Sequence, residues 1–569
     1  VPRHVESDDS QSLIVGVRGA DRACGCVAGQ RRYPPLMPDS PNHLTPEQFR
    51  ELGHRMVDFL ADYQASVGMW PVKSQDKPGD VLARLPESPP ERGLGDADKP
   101  TEAWGEVFDD LTKIVLPGLM HWQHPSFFGY FPCNSSGPAV LAELCSAGLG
   151  VQGMLWQTSP ACTEIETRML DWMAEMFDLP ECFRSTADNS GLGGGGVIQG
   201  TASEATLAAL IAARQRWRRL RTERARALEA ETGELGLVAE AVEQRFAVIC
   251  SEGAHSSVVK AAMMAGIAEG PDDDERVWTI KTDAQGRMDI AELQRVLDER
   301  GLDPASPTPI ACIATMGTTG VGAMDDIEAI AGVLSAFADS QQGGTSGPPG
   351  HSPAIWLHVD GAWAGSALVC PEYRAMAAGL ERADSLCINP HKWLLTNFDC
   401  DLFWTSSRRD LTDAMSITPE YLRNAASDSG SVIDYRDWHV PLGRRFRALK
   451  LWFVVRHYGV EGLRAHIREH VRLGEMLERF VKFDDRFELV VPRSLSLVCF
   501  RVAGPDDLTT RVIERVNATG KTFLSHASWP GPDGKPRPIA RFAIGGTHTA
   551  EVHVRKAWDL IVRTVDQLR

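Results

Sequence analysis

Between about residue 137 and residue 450 one pattern repeats: a short apolar run, a stretch of helix length, then another apolar run. The runs are "FAVICS" from Phe246, "PIACIAT" from Pro309, "IWLHVD" from Ile355, "DSLCIN" from Asp384 and "DLFWT" from Asp401. Each is too short for a helix and rich in residues that suit a pleated, buried surface. Alternation with helix-length segments predicts βα units around a mostly parallel sheet, hence an α/β fold. Ligands in such sheets sit beyond the carboxyl ends of the strands. His255, Asp360 and Lys392 all stand at or just past the end of one of these runs.

The rest of the chain divides around this region. Residues 1–42 are polar and aperiodic and read as a disordered leader. Order is expected from "LTPEQFRELGHRMVDFLADYQ", where Thr45 caps, Pro46 takes the first helical position and Gln48 completes a capping box. Phe49, Leu52, Met56, Leu60 and Tyr63 follow at helical spacing, so 43–136 reads as an N-terminal helical segment with an apolar face that something must cover. Residues 137–449 form the large domain, interrupted at 340–353 by the Gly/Ser/Pro-rich "SQQGGTSGPPGHSP", a flexible insertion. Residues 450–569, strongly helical at first and then strand-like at "FELVVP" and "SLVCFRV", read as a small α+β domain.

Charge and cysteine usage exclude several classes. With 59 Lys and Arg against 76 Asp and Glu, the net charge of −17 argues against a nucleic-acid partner. The basic cluster "RQRWRRLRTERAR" at 214–226 reads as the solvated face of a helix. Twelve cysteines are scattered without a CxxC pair, which favours a reducing cytoplasm; the lone Cys24-Gly25-Cys26 in the leader is assigned no metal. No apolar stretch is long enough to span a membrane.

Four elements carry the chemistry. "GLGGGGVIQGTASEATLAALIAAR" runs a glycine-rich segment into a helical pattern, with Thr201 and Ser203 where the helix begins. That suits an anion held by free N–H groups, although the strand of a dinucleotide fingerprint is not visible before it and a flexible loop fits as well. Asp360 ends an apolar run, either capping the backbone or pairing with a protonated heterocyclic nitrogen. Lys392, in "SLCINPHKWLL", has flanks unlike those of a surface lysine and suits a Schiff base with an aldehyde. His255 in "SEGAHSS" either caps a turn or faces a planar ring. A phosphate cradle, an aldehyde-holding lysine, a partner for a ring nitrogen and a ring-stacking group are together what pyridoxal phosphate requires.

The ordered segments "HWQHPSFFGYFP", "SPACTEIET", "GGGVIQGTASEATLAAL", "AHSSVVKA", "ATMGTTGVGAMD", "WLHVDGAWAGSA", "NPHKWLLTNFDC" and "YRDWHVPLGRRFRALKLW" resemble the group II pyridoxal-phosphate-dependent amino acid decarboxylases, most closely those acting on aromatic L-amino acids. The resemblance covers about residues 44–560 and implies a fold-type-I transferase-like architecture with a mostly parallel seven-stranded sheet. It also implies a homodimer with the active site at the subunit interface. It makes Lys392 the Schiff-base lysine, Asp360 the partner of the pyridine nitrogen and His255 the ring-stacking group. Ala202, Ser203, Asn389 and His391 match phosphate contacts; Thr315 and Ala362 match residues lining the ring. Tyr421, in a polar segment suited to a lid, matches the tyrosine that protonates Cα after decarboxylation; relatives with Phe there are oxidative aldehyde synthases. Trp122, Tyr130, Phe131 and Pro132 fall on positions around the substrate side chain. Gln152 and Met154 stand where animal relatives commonly carry Ile and Phe, and Gly443 leaves room that Ser would fill. The implied reaction is decarboxylation of an aromatic L-amino acid to its amine. An aldehyde synthase, a decarboxylase of a non-aromatic amino acid and a catalytically silent cofactor-binding scaffold are the competing readings.

Overall fold

The computed structural model describes residues 43–185, 193–233, 245–303, 305–341, 355–417, 425–428, 432–531 and 533–569. The leader, Tyr421 and nearly all of the 340–353 insertion lie outside them. The chain forms two compact units, one with the described residues up to Arg55 plus Glu87–Phe108, the other with Met56–Pro86 and Asp109–Arg569. In the first, the capping box forms as expected: Gln48 Oε1 accepts the Thr45 N–H at 2.8 Å and Thr45 Oγ1 accepts the Gln48 N–H at 3.2 Å. Arg55 donates to the Thr101 carbonyl at 2.6 Å and lies over the Phe108 ring.

Among the described residues the second unit holds twelve strands. They are β1 (Phe127–Phe128), β2 (Gly195–Gln199), β3 (Phe246–Ser251), β4 (Val277–Ile280), β5 (Thr308–Thr315), β6 (Trp356–Asp360), β7 (Ser385–Ile388), β8 (Asp401–Thr405), β9 (Phe487–Leu489), β10 (Leu497–Val502), β11 (Phe523–Pro530) and β12 (Pro536–Ala543). Seven build one sheet in the order β2-β8-β7-β6-β5-β3-β4. The pairs β4/β3, β3/β5, β5/β6 and β6/β7 are parallel, while β8 runs antiparallel to both β7 and β2. All five apolar runs become strands of this sheet.

Two of its strands were not expected. Within the glycine run, Gly195–Gln199 is an edge strand, β2, so the segment before the Ala202 helix does have the strand its composition concealed. Glycine weakens strand propensity, but here it is a packing requirement: a Cβ on Gly196 would come within 2.7 Å of Trp404 and 2.9 Å of Leu170. β4 does not stand out because its third residue, Thr279, is polar and exposed, which breaks the apolar run. A second, five-stranded sheet runs β1-β11-β12-β10-β9. Its β1 comes from the segment read as helical and pairs in parallel with β11, Phe127 opposite Phe523. The division after residue 449 falls inside a helix, Arg447–Lys482, broken at Gly459 (φ 63°).

The basic cluster on the Ala202–Thr232 helix is more than a solvated face. Arg216 pairs with Asp384 at the start of β7 (2.5 Å) and covers the Trp356 ring, and Arg219 pairs with Asp410 (2.6 Å). These contacts clamp the helix across the sheet, fixing where its N-terminus meets the strand ends.

Candidate active site

The carboxyl ends of β5, β6 and β7 form the floor. Asp360 closes β6, opposite Thr315 on one side and Cys387 on the other. Its Oδ1 accepts the Ala362 N–H at 3.0 Å, while Oδ2 takes part in no hydrogen bond among the described residues. The Ala362 carbonyl in turn accepts the Asn389 N–H at 3.0 Å, lacing the two strand exits together. Thr315 gives its N–H to Asp325 at 2.7 Å and keeps a buried, unpaired Oγ1. Burial pushes the Asp325 carboxyl up to about 6.

From Asn389 to Leu394 every residue is buried except Lys392, which is half-buried. Pro390 suits the first position of a one-turn helix, Pro390–Trp393, which leaves Lys392 as the residue facing outward from the sheet. Its Nζ lies 5.7 Å from the Phe131 ring centroid, a cation over an aromatic face. Phe131 stacks on Trp363 (4.4 Å), Trp363 on Trp393 (5.4 Å), and Trp393 donates to His470 Nδ1 at 2.9 Å. This buried column holds the lysine from below. His391 Nδ1 lies 2.8 Å from the Cys400 carbonyl oxygen and 3.0 Å from the Cys400 nitrogen, which fixes the ring; burial and the neighbouring Lys392 bring its pKa down to about 3, so it is neutral.

His255 follows β3. Its Nδ1 accepts the Ser257 N–H at 3.1 Å and lies 2.9 Å from Ser257 Oγ, which fixes the ring. The residue is exposed in the single chain. Packing around the ring lowers its pKa, opposed by Asp360 and reinforced by Lys392, so both residues are close enough to act on it. At the exit of β2, Thr201 precedes the helix without capping it through its side chain, Ala202 is buried and Ser203 is exposed. First-turn N–H groups of a helix have no intrahelical acceptor, so this corner offers donors to an anion.

The residues fit pyridoxal phosphate. A primary amine, a buried carboxylate with one free oxygen, a fixed imidazole, donors at a helix start and the unpaired Thr315 Oγ1 and Asn389 Oδ1 surround one place. The pyridoxal-dependent decarboxylase conserved domain matches residues 90–503. The chain belongs to this family.

Among family members, tryptophan decarboxylase 2 of Oryza sativa subsp. japonica is 41% identical over 90% of this chain and 94% of its own. Phenylacetaldehyde synthase of Arabidopsis thaliana is 42% identical over 90% of this chain and 95% of its own. A crystal structure of Oryza sativa TDC with PLP and tryptamine superposes with a TM-score of 0.79 at 37% identity, covering 92% of this chain and 99% of that one. This chain is accordingly a pyridoxal-phosphate-dependent carboxy-lyase of the fold expected from its apolar runs.

The residues expected around the substrate separate into two groups. Trp122 and Tyr130 stack at 5.6 Å, Trp122 also meets Phe127, Phe131 faces Lys392, and Pro132 packs against Gly545. Gln152, Met154 and Gly443 assemble elsewhere: Gln152 Oε1 accepts the Arg444 N–H at 3.0 Å, and the Met154 carbonyl accepts the Arg436 N–H at 3.1 Å. Among the described residues no hydrogen bond or ring contact joins this group to Lys392. The room left by Gly443 is bounded by Gln152, whose Nε2 would stand 3.4 Å from an added Cβ.

Arg444 beneath Gly443 is almost wholly buried against Glu166 at 2.6 Å, and Glu166 Oε1 also accepts the Ile198 N–H of β2 at 2.8 Å. Glu166→Ala would leave a buried guanidinium without its counter-ion. We expect a loss of about 3–5 kcal/mol, seen as a lower urea midpoint than the wild type.

Three polar residues escaped the sequence reading. Arg541 on β12 lies 5.1 Å from the Phe131 centroid and donates to the Tyr130 carbonyl (3.2 Å) and Ser525 Oγ (2.8 Å). It pins Tyr130, whose φ of 52° is left-handed for a non-glycine residue. Asp401 and Gln199 lie buried at the sheet edge. For Arg541 and Asp401 the available signal was a charge inside an apolar run, "PIARFAI" and "DCDLFWT".

Proposed function

We propose that this chain decarboxylates aromatic L-amino acids of the tryptophan, DOPA, tyrosine and phenylalanine class, releasing carbon dioxide and the amine. The observation that carries it is the wall of Trp122, Tyr130 and Phe131 beside Lys392, since planar rings gain both buried area and stacking from such a wall. The cofactor, when bound, supplies the electron sink for the pair left behind by carbon dioxide. Lys392 would hold its aldehyde carbon and give way to the substrate amine. The free oxygen of Asp360 would keep a proton on the ring nitrogen, a charge-assisted contact worth about 1.5–3 kcal/mol. His255 would cover one ring face, with Thr315 and Ala362 along the edge. Ala202, Ser203, Asn389 and His391 would take the phosphate. Tyr421 would deliver the proton to the substrate Cα.

We further propose a homodimer with the active site at its interface. On the Gly137–Leu149 helix, Leu141, Leu144 and Leu149 are each more than half exposed, and Phe49 on the first helix is 59% exposed. A second copy would cover such faces and would bring the Gln152, Met154 and Gly443 group of one chain to the Lys392 of the other. A cytoplasmic location is supported by the ten described cysteines, all free and mostly buried. No helix among the described residues is long and apolar enough to cross a membrane.

Tryptophan decarboxylase 2 and phenylacetaldehyde synthase match this chain almost equally, which keeps the aldehyde synthase as the second reading. The test is product analysis of the cofactor-loaded protein with tryptophan, DOPA, tyrosine, phenylalanine and glutamate, following amine, aldehyde, peroxide and carbon dioxide together. Amine without peroxide from the aromatic set is expected. Aldehyde with peroxide would overturn the outcome at Cα, and turnover of glutamate alone would overturn the substrate class.

A further inference from the structure

At the carboxyl edge of the large sheet, three buried polar side chains stand in a row. Gln199, the last residue of β2, lies directly opposite Asp401, the first of β8. On the other flank of β8, Ile388 pairs with Leu402, so Asn389 comes beside Asp401 one step beyond the paired residues. Side chains opposite one another on neighbouring strands share a face and lie within reach. That face is the one Asp360 occupies, because Asp360 pairs with Cys387 and Cys387 with Phe403, two residues from Asp401. Gln199 is 1% exposed, Asp401 0% and Asn389 2%. Both oxygens of Asp401, both amide atoms of Gln199 and Oδ1 of Asn389 are buried without a hydrogen-bond partner among the described residues. Buried polar atoms in native proteins are paired with rare exceptions, so a cluster of them marks a network completed by a ligand or by reorientation within the row.

The charged groups acting on Asp401 come from three elements. Asp360 on β6 and Glu204 on the Ala202–Thr232 helix repel a second negative charge, while Lys392 after β7 attracts it. Burial is the largest influence and, with the two carboxylates, holds the Asp401 carboxyl well above the usual range. An ionised carboxylate can only accept, whereas the acid form can donate once. That difference sets the direction of the whole row.

We propose that Asp401 is a positioning residue for the cofactor: as a neutral acid it accepts from Gln199 Nε2 and donates to Asn389 Oδ1, turning the Asn389 Nδ2–H groups toward the phosphate. An ionised Asp401 would draw the Asn389 amide the other way and present its carbonyl oxygen to an anion. The proposal rests on the reading that Asn389 meets the phosphate.

The test uses full-length holoenzyme and two readouts besides turnover: the rate of cofactor release, and the pH midpoint of the cofactor's visible absorption. Asp401→Asn keeps one donor and one acceptor and should release cofactor within about twofold of the wild-type rate, with the midpoint unmoved. Asp401→Ala, or Asp401→Val where alanine leaves too large a hole, should release it about tenfold faster or more, as expected for loss of a contact to a charged group. Release from Asp401→Asn as fast as from Asp401→Ala would overturn the proposal. So would a midpoint lowered by about half a unit in Asp401→Asn, the sign expected if a negative charge beside Lys392 had been removed. Asn389→Ala separates the two levels: wild-type release there means the phosphate reading fails. Fast release from Asn389→Ala with wild-type release from both Asp401→Ala and Asp401→Val means that only the role of Asp401 fails.

Discussion

Lys392→Ala should lose amine formation by at least about a thousandfold, roughly 4 kcal/mol of barrier, and should lose the visible absorption that reports a covalently held cofactor. The size follows from its surroundings. Every neighbour from Asn389 to Leu394 is buried, and Lys392 is the only one of them that is half-open and carries an amine. Among the described residues no second lysine is placed to substitute: Lys450, the other one drawn into this region, is buried and paired with Glu143 at 3.1 Å. An added small amine should restore part of the lost rate, because the aromatic column under Phe131 keeps the pocket's shape without the lysine. Absorption spectra together with product formation, with and without the amine, check this. Unchanged turnover in the variant would remove Lys392 from the chemistry.

The second large effect is a change of product. Tyr421→Phe removes one hydroxyl and, with it, the proposed donor to Cα. The electron pair left by carbon dioxide would then persist until dioxygen takes it, giving aldehyde, ammonia and hydrogen peroxide in place of the amine. We expect peroxide and aldehyde to rise from background to the main products, with carbon dioxide release continuing. Simultaneous assay of amine, aldehyde and peroxide under air and under argon checks it. Under argon the variant should slow, because its oxidant is gone. Amine as the sole product under both conditions would mean that another group supplies the proton.

Much of this was legible in the residues because burial leaves a strong trace. Strands β3, β5, β6, β7 and β8 are covered on both faces and therefore read as apolar runs, and the chemistry at their ends stood out as charges that such runs do not explain. β2 was hidden because its close packing against Trp404 demands glycine, which reads as loop. β1 was hidden because two residues leave no periodicity. Asp401 is inconspicuous for the opposite reason: it heads an apolar run, and only the register against Gln199 shows it as a buried acid without a partner among the described residues. The division of the expected pocket residues into two groups has no trace in spacing along the chain. Which side of the molecule Gln152 and Gly443 face depends on how helices pack, here on the buried Glu166–Arg444 pair.

The antiparallel β8 has a consequence for how the protein matures. β2, whose exit leads into the proposed phosphate corner, has β8 as its only partner among the described residues, and the chain supplies β8 long after β2. Until Asp401–Thr405 has emerged from the ribosome, β2 has nothing to pair with, and the Ala202 corner and the lysine turn have no common frame. Such distant pairings form late in folding. Cofactor capture is therefore expected only after β8 has joined the sheet: nascent chains truncated before β8 should emerge without it.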